Sequence, residues 1–141
     1  VKRFFDTSVL VAVFYGDHPA HAAAIECFQD ATSKTAFCAA HSVAELYAVM
    51  TRLPVRPAIA PEQCMLFLND LRERLTLVSL TGAEYLATVA SAARADLPGG
   101  KVYDALILAC AGKAAAEVVY TLNAKDFERI APDLAGRIQS P

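Results

Sequence analysis

The chain has 141 residues, enough for one domain with a sizeable core and no need of disulfides. Apolar residues make up 55% of it, against a usual value of about 45–50%; the excess is mostly alanine and suits close helix packing or an apolar surface for a partner. The net charge of −2 excludes a globally basic nucleic-acid binder, and apolar runs no longer than Val9–Tyr15 or Ala105–Ala111 exclude a membrane-spanning helix.

In chain order, Lys2 to Phe5 predicts a short strand running into Asp6. Ser8 to Tyr15 follows as a buried helix, closed by Gly16. Ala22, Ile25 and Phe28 recur at helical spacing and predict a helix over His18 to Ala31. Thr35 to Ala39, small and apolar, is the second strand. Ser42 opens a helix to about Arg52. Pro54 and Pro57 make a loop of the next stretch, and Pro61 suits the first turn of a helix over Glu62 to Arg74. Leu75 to Leu80 is the third strand, Gly82 to Arg94 a helix, Leu97 to Gly100 a loop and Val102 to Ala115 an apolar helix. β-Branched and aromatic residues mark Glu117 to Thr121 as the fourth strand. A short helix from Ala124 to Ile130 and a brief edge strand around Arg137 to Gln139 complete the chain. Strands alternating with helices predict a single α/β domain whose parallel sheet is covered on both faces. Such sheets bind ligands beyond the carboxyl ends of their strands.

Four acids sit where apolar segments begin or end: Asp6, Glu45, Asp104 and Asp126. Each has an ordinary role open to it. Asp6 suits a helix N-cap, and Ser42 with Glu45 has the spacing of a capping box. Asp104 aligns with a helix dipole. Asn123 suits an N-cap, with Asp126 in the turn behind it. Asp6 and Asp126 follow strands and so fall at that functional edge, and the four acids together imply more. Carboxylates avoid cores unless paired, hydrogen-bonded or bound to metal. A pocket gathering all four would titrate as a coupled set and call for a hard cation, Mg²⁺ or Mn²⁺. Metal-dependent phosphodiester chemistry is the expected use.

Cys27, Cys38, Cys64 and Cys110 form no C-x-x-C pair, so they read as buried hydrophobes of a reducing compartment, not as zinc ligands. Asp6 interrupts any signal-peptide pattern, and the expected location is the cytoplasm. His18, His21 and His41 suit surface or capping turns; Tyr15, Tyr47 and Tyr103 suit core packing, with base stacking as the alternative.

Four motifs, in order, carry a resemblance that spans nearly the whole chain: Phe4-Phe5-Asp6-Thr7-Ser8-Val9-Leu10, Ser42-Val43-Ala44-Glu45-Leu46, Val102-Tyr103-Asp104-Ala105-Leu106-Ile107, and Thr121-Leu122-Asn123-Ala124-Lys125-Asp126-Phe127. The chain resembles PIN-domain nucleases. The segment from Thr51 to Glu62 looks like their VapC branch, the toxins of bacterial VapBC toxin–antitoxin pairs. The resemblance implies a three-layer α/β/α sandwich with a parallel sheet of four to five strands. It also implies Mg²⁺- or Mn²⁺-dependent hydrolysis of RNA. By motif, Asp6, Glu45 and Asp104 form the acidic core, Asp126 takes the fourth acidic position, and Asn123 takes the polar position before it. Thr7 or Ser8 positions a metal-bound water. Arg52, seven residues beyond Glu45 and so about 10 Å further along the same helix face, and Lys101 are candidates to bind the RNA backbone. The expected partners are the RNA, a VapB-like antitoxin and a second copy in a homodimer. The rivals are a phosphoacceptor-Asp enzyme, which fits poorly because dehalogenase-like domains want a second Asp where this chain has Ser8, and a silent PIN module that binds without cutting.

Overall fold

The computed structural model describes residues 1–141. Strand β1 (Arg3–Phe5) leads into helix α1 (Thr7–Phe14), then α2 (His21–Phe28), strand β2 (Ala36–Ala39), α3 (His41–Arg52) and α4 (Pro61–Arg74). Strand β3 (Thr76–Val78), α5 (Gly82–Arg94), α6 (Lys101–Lys113), β4 (Val118–Tyr120) and α7 (Ala124–Ile130) follow, and a 3₁₀ turn (Pro132–Arg137) leads to β5 (Ile138–Gln139). All five strands are parallel, in the order β3-β2-β1-β4-β5. The expected α/β fold with a parallel sheet is the one observed. From β1 the chain winds outward through β2 and β3, then crosses to β4 and β5 on the other side. The switch in winding lies between β1 and β4, where a crevice opens beyond the strand ends.

Alternation along β1 sends its two phenylalanines to opposite faces. Phe5 joins a core of 17 buried residues with α1 to α4; Phe4 joins a core of 10 with α6, β4, α7 and β5. Both rings are fully buried, so the central strand ties the two layers together.

Several boundaries differ from the sequence expectation. Helix α2 starts at His21, because Pro19 lies in a turn closed by His21 N–H donating to the His18 carbonyl. Helix α6 stops at Lys113, where Ala115 turns left-handed (φ 54°) and the N–H of Ala116 reaches the Ala111 carbonyl, a Schellman closure normally given to glycine. Residues 132–137 form a 3₁₀ turn that hydropathy gave no sign of. The capping box is not at Ser42 and Glu45: α3 begins one residue earlier, so Ser42 is inside the helix and caps nothing. Thr81 and Glu84 form that motif instead, at the start of α5.

Candidate functional site

Asp6 leaves β1 at its carboxyl end and occupies the N-cap position of α1, but its carboxylate does not cap the helix. It is 6% exposed. Oδ2 accepts two hydroxyl donations, from Ser8 at 2.7 Å and from Thr121 at 2.9 Å. Each hydroxyl is aimed by a backbone N–H from the exit of β4: Leu122 donates to Ser8 Oγ, and Asn123 donates to Thr121 Oγ1. Oδ1 accepts from no side chain. Burial pushes the Asp6 pKa up, against the opposing pull of Ser8, Thr121 and the Thr7 amide. The buried charge is thus stabilised by hydrogen bonds and by no cation.

Thr7 links the first acid to the second. Its Oγ1 lies 2.8 Å from Ser42 Oγ and 2.5 Å from Glu45 Oε1. A hydroxyl has one proton and an ionised carboxylate only accepts. The Thr7 proton therefore goes to Glu45, and Ser42 supplies the other bond. Ser42 is fully buried, so its role is to orient Thr7 and, through it, Glu45.

Asp104 lies in the first turn of α6, half-buried. Its pKa is raised to about 6, first by burial and then by the charges of Asp6, Asp126 and Glu45. No side-chain hydrogen bond or ion pair holds it. Asp126, in the first turn of α7, is exposed and sits 3.7 Å from Arg129. Asn123 occupies the N-cap position of α7 without a side-chain cap bond.

A cleft of about 390 Å³ brings these residues together. Asp6, Thr7, Ser8, Glu45, Asp104 and Asn123 line it; Asp126, Arg52 and Lys101 do not. Lys101 is the exposed first residue of α6, and Arg52 is exposed in the last turn of α3. None of Asp6, Glu45 and Asp104 forms an ion pair. No group of three or more His, Cys, Asp or Glu side chains is placed to hold a metal ion among them. The donor set nevertheless fits a hard divalent ion: it is all oxygen, negatively charged and lacks a protein counter-cation. Mg²⁺ keeps several waters and takes only one or two carboxylates directly, so it needs no closed cage.

Three contributors escaped the sequence analysis. Thr121 holds Asp6 from the far side of the sheet crevice; its place at the end of β4, beside the winding switch, was the available signal. Ser42 gave the signal of a cap. His18, expected in a surface or capping turn, does cap one, its Nδ1 accepting the Ala20 N–H at 2.9 Å and leaving Nε2 as the protonated nitrogen of the neutral ring; its place on the cleft wall is what the sequence did not show. Tyr103, expected in the core, is 54% exposed on the cleft wall. Cys38, Cys64 and Cys110 are buried free thiols, and Cys27 is partly buried. No helix is long and apolar enough to cross a membrane.

Comparison with known proteins bears on this geometry. Residues 3–132 match the PIN domain family model. The ribonuclease VapC27 of Mycobacterium tuberculosis is 35% identical over 127 residues, 89% of each chain. The ribonuclease VapC40 of the same species is 36% identical over 102 residues, 72% of each. Among solved structures, the sarcin-ricin-loop-cleaving toxin VapC20 of M. tuberculosis superposes with a TM-score of 0.72 at 14% identity, over 89% of this chain and 92% of that one. VapBC2 of Rickettsia felis, solved on a fragment of its promoter DNA, gives 0.67 at 18% identity, over 99% and 98%. At those identities the structures speak for the fold alone.

Proposed function

The chain belongs to the PIN-domain family, in its VapC branch, and on that premise we propose that it is an RNA endonuclease acting as the toxin of a toxin–antitoxin pair. One observation supports the chemistry above all: three carboxylates face a single cleft at the sheet's winding switch, and no protein cation neutralises them. One or two of Asp6, Glu45 and Asp104 would hold Mg²⁺ or Mn²⁺ directly and the rest through its waters, with Asp126 at the rim. Bound there, the ion supplies Lewis acidity to the phosphate and makes water a stronger nucleophile.

The chain's own residues do the rest. Ser8 and Thr121 fix the Asp6 carboxylate so that its geometry is set before substrate arrives. Thr7, itself oriented by Ser42, does the same for Glu45. Asp104 carries no such bonds and is free to adjust. Val11, Ile107 and Leu122 give the cleft apolar walls that limit water. Lys101 and Arg52, both exposed and unpaired, draw the RNA backbone toward the acids. His18 offers an N–H to a phosphate oxygen. The similarity to chains solved as VapBC assemblies supports a VapB-like antitoxin as partner, and a homodimer completes the proposal.

Cleavage of mixed single-stranded RNA tests it. Products are expected with Mg²⁺ or Mn²⁺ and not with EDTA, and Asp6→Asn should lower the rate at least about a hundredfold, the scale of losing one preorganised charge-stabilising group. Cutting that survives chelation or the substitution would sink the metal mechanism. Binding of RNA without cutting would assign a silent PIN module instead.

A further inference from the structure

A second cavity, of about 170 Å³, adjoins the acidic cleft and shares two of its walls, Tyr103 and Ile107. It opens at the carboxyl ends of β2 and β3, on the same sheet edge as the acids. Ala40, Val78, Leu80 and Leu106 give it an apolar interior, and no Asp, Glu, Lys or Arg lines it. Its occupant is therefore uncharged and largely apolar. Drug-sized sites occupy about 300–1,000 Å³, so this one suits a single ring system.

Its polar groups are few and uncommitted. Ser79, Tyr85 and His41 all line it, and none of their side chains makes a hydrogen bond within the protein. Tyr85 is 44% exposed and Tyr103 54%. The His41 and Tyr103 rings lie nearly parallel, 2° apart in plane with centroids 6.2 Å apart. That platform stands on the border between cavity and cleft. Flat aromatic faces and free edge donors beside a phosphate-handling site match the chemistry of a splayed nucleobase, which stacks on aromatic rings and is read along its edge.

We propose that this cavity is a nucleobase subsite, taking one unpaired base next to the scissile phosphate and so setting where the RNA is cut. It rests on the nuclease reading above, with the phosphate at Asp6, Glu45 and Asp104 and the base stacked on Tyr103 and turned toward Tyr85 and Ser79. The acids cut any phosphodiester; the cavity selects the nucleotide.

Two measurements test it. In the first, short RNAs randomised around the cut are cleaved and the product ends sequenced. The unaltered protein should favour one base at one flanking position. Tyr85→Ala, which removes a wall, and Ala40→Leu, which fills the cavity, should flatten that preference. On the preferred sequence kcat/KM should fall by about 5- to 150-fold, the contribution of one stacked base, and the loss should shrink on a substrate abasic at that position. Cleavage that keeps its preference in both variants, or has none to begin with, overturns the proposal and leaves the nuclease reading intact. In the second, uncharged nucleosides are titrated into the protein and backbone amide shifts followed. Shifts at Ala40, Ser79 and Tyr85 are expected, and they hold for the subsite even if the protein cuts nothing, which is how the two readings are told apart. Nucleosides that leave these amides unmoved, or an antitoxin peptide that moves them where nucleosides do not, overturn it.

Discussion

On one side of the acidic cleft the carboxylates are held by hydroxyls: Ser8 and Thr121 on Asp6, and Thr7, backed by Ser42, on Glu45. On the other side, Asp104 has no hydrogen-bond partner, and Asp126 has only an exposed neighbour, Arg129. The packing behind the two walls differs in the same sense. The held acids emerge from β1 and α3, against the core of 17 residues; the free ones emerge from α6 and α7, over the core of 10. Hydroxyls fix a charge without neutralising it, so the first wall presents negative charge at a set position. On the second wall Asp104 has no hydrogen bond to offset burial and like charges, which raise its pKa to about 6; burial raises Asp6 as well, but against the pull of its hydroxyls. A site so divided has one half held in place and one half free to adjust.

The sharpest way to break that contrast is Asp104→Asn. Activity should fall about a hundredfold or more, as for a preorganised charge-stabilising group, while the metal-free protein becomes more stable above pH 6. The sign follows from the raised pKa. The folded chain binds this proton more tightly than the unfolded one, so the group costs nothing below its ordinary 3.8. Stability is then lost as pH rises through about 6. Asparagine removes that loss. Thermal melts in EDTA should show the variant above the unaltered protein at pH 8 and level with it at pH 4. A variant that melts lower at pH 8 contradicts the reading of an uncompensated charge.

Thr7→Val probes the held wall. It keeps the side chain's shape, removes the proton given to Glu45 and leaves Ser42 without its partner. Activity should fall about 10- to 100-fold, the usual cost of losing a group that orients a ligand. The melting temperature should fall too, since an unpartnered buried hydroxyl costs about 1–3 kcal/mol. Equal activity in the two proteins would show that Glu45 needs no orienting.

Asp126→Asn should do least. The residue is exposed and its pair with Arg129 is of a kind worth about 0.3–0.5 kcal/mol, so stability should scarcely change. Activity should drop about tenfold or less, at the low end of what an outer partner contributes. A loss as large as that of Asp104→Asn would move Asp126 from the rim into the centre of the site.

Much of this was legible beforehand because local rules and tertiary outcome agree. The period-2 and period-3.6 patterns place Asp6 after the first strand and Asp126 just after the fourth, and in a parallel α/β sheet those positions share an edge; motif order linked Glu45 and Asp104 to it. Glu45 was legible by its motif as one of the acids, and the capping box that its spacing from Ser42 also allowed does not form, since spacing alone cannot say whether α3 begins at His41 or Ser42. The partners of the acids were harder to see. Thr121 is 115 residues from Asp6, and Ser42 is 35 from Thr7; neither pairing leaves a periodic trace.

The sequence by itself determined the alternation of strands and helices, the four motifs and the kind of chemistry their carboxylates suit. Hydrophobic periodicity and residue type are local properties, and burial follows from them. The tertiary structure alone decided which oxygens are held and which are free, that Asp126 stands outside the cleft while His18 and Tyr103 stand within it, and that a second cavity opens beside the acids. Those outcomes depend on strand order. The crossing that sets β4 beside β1 brings Thr121 onto Asp6, and no pattern along the chain encodes the distance between residues that only the sheet brings together.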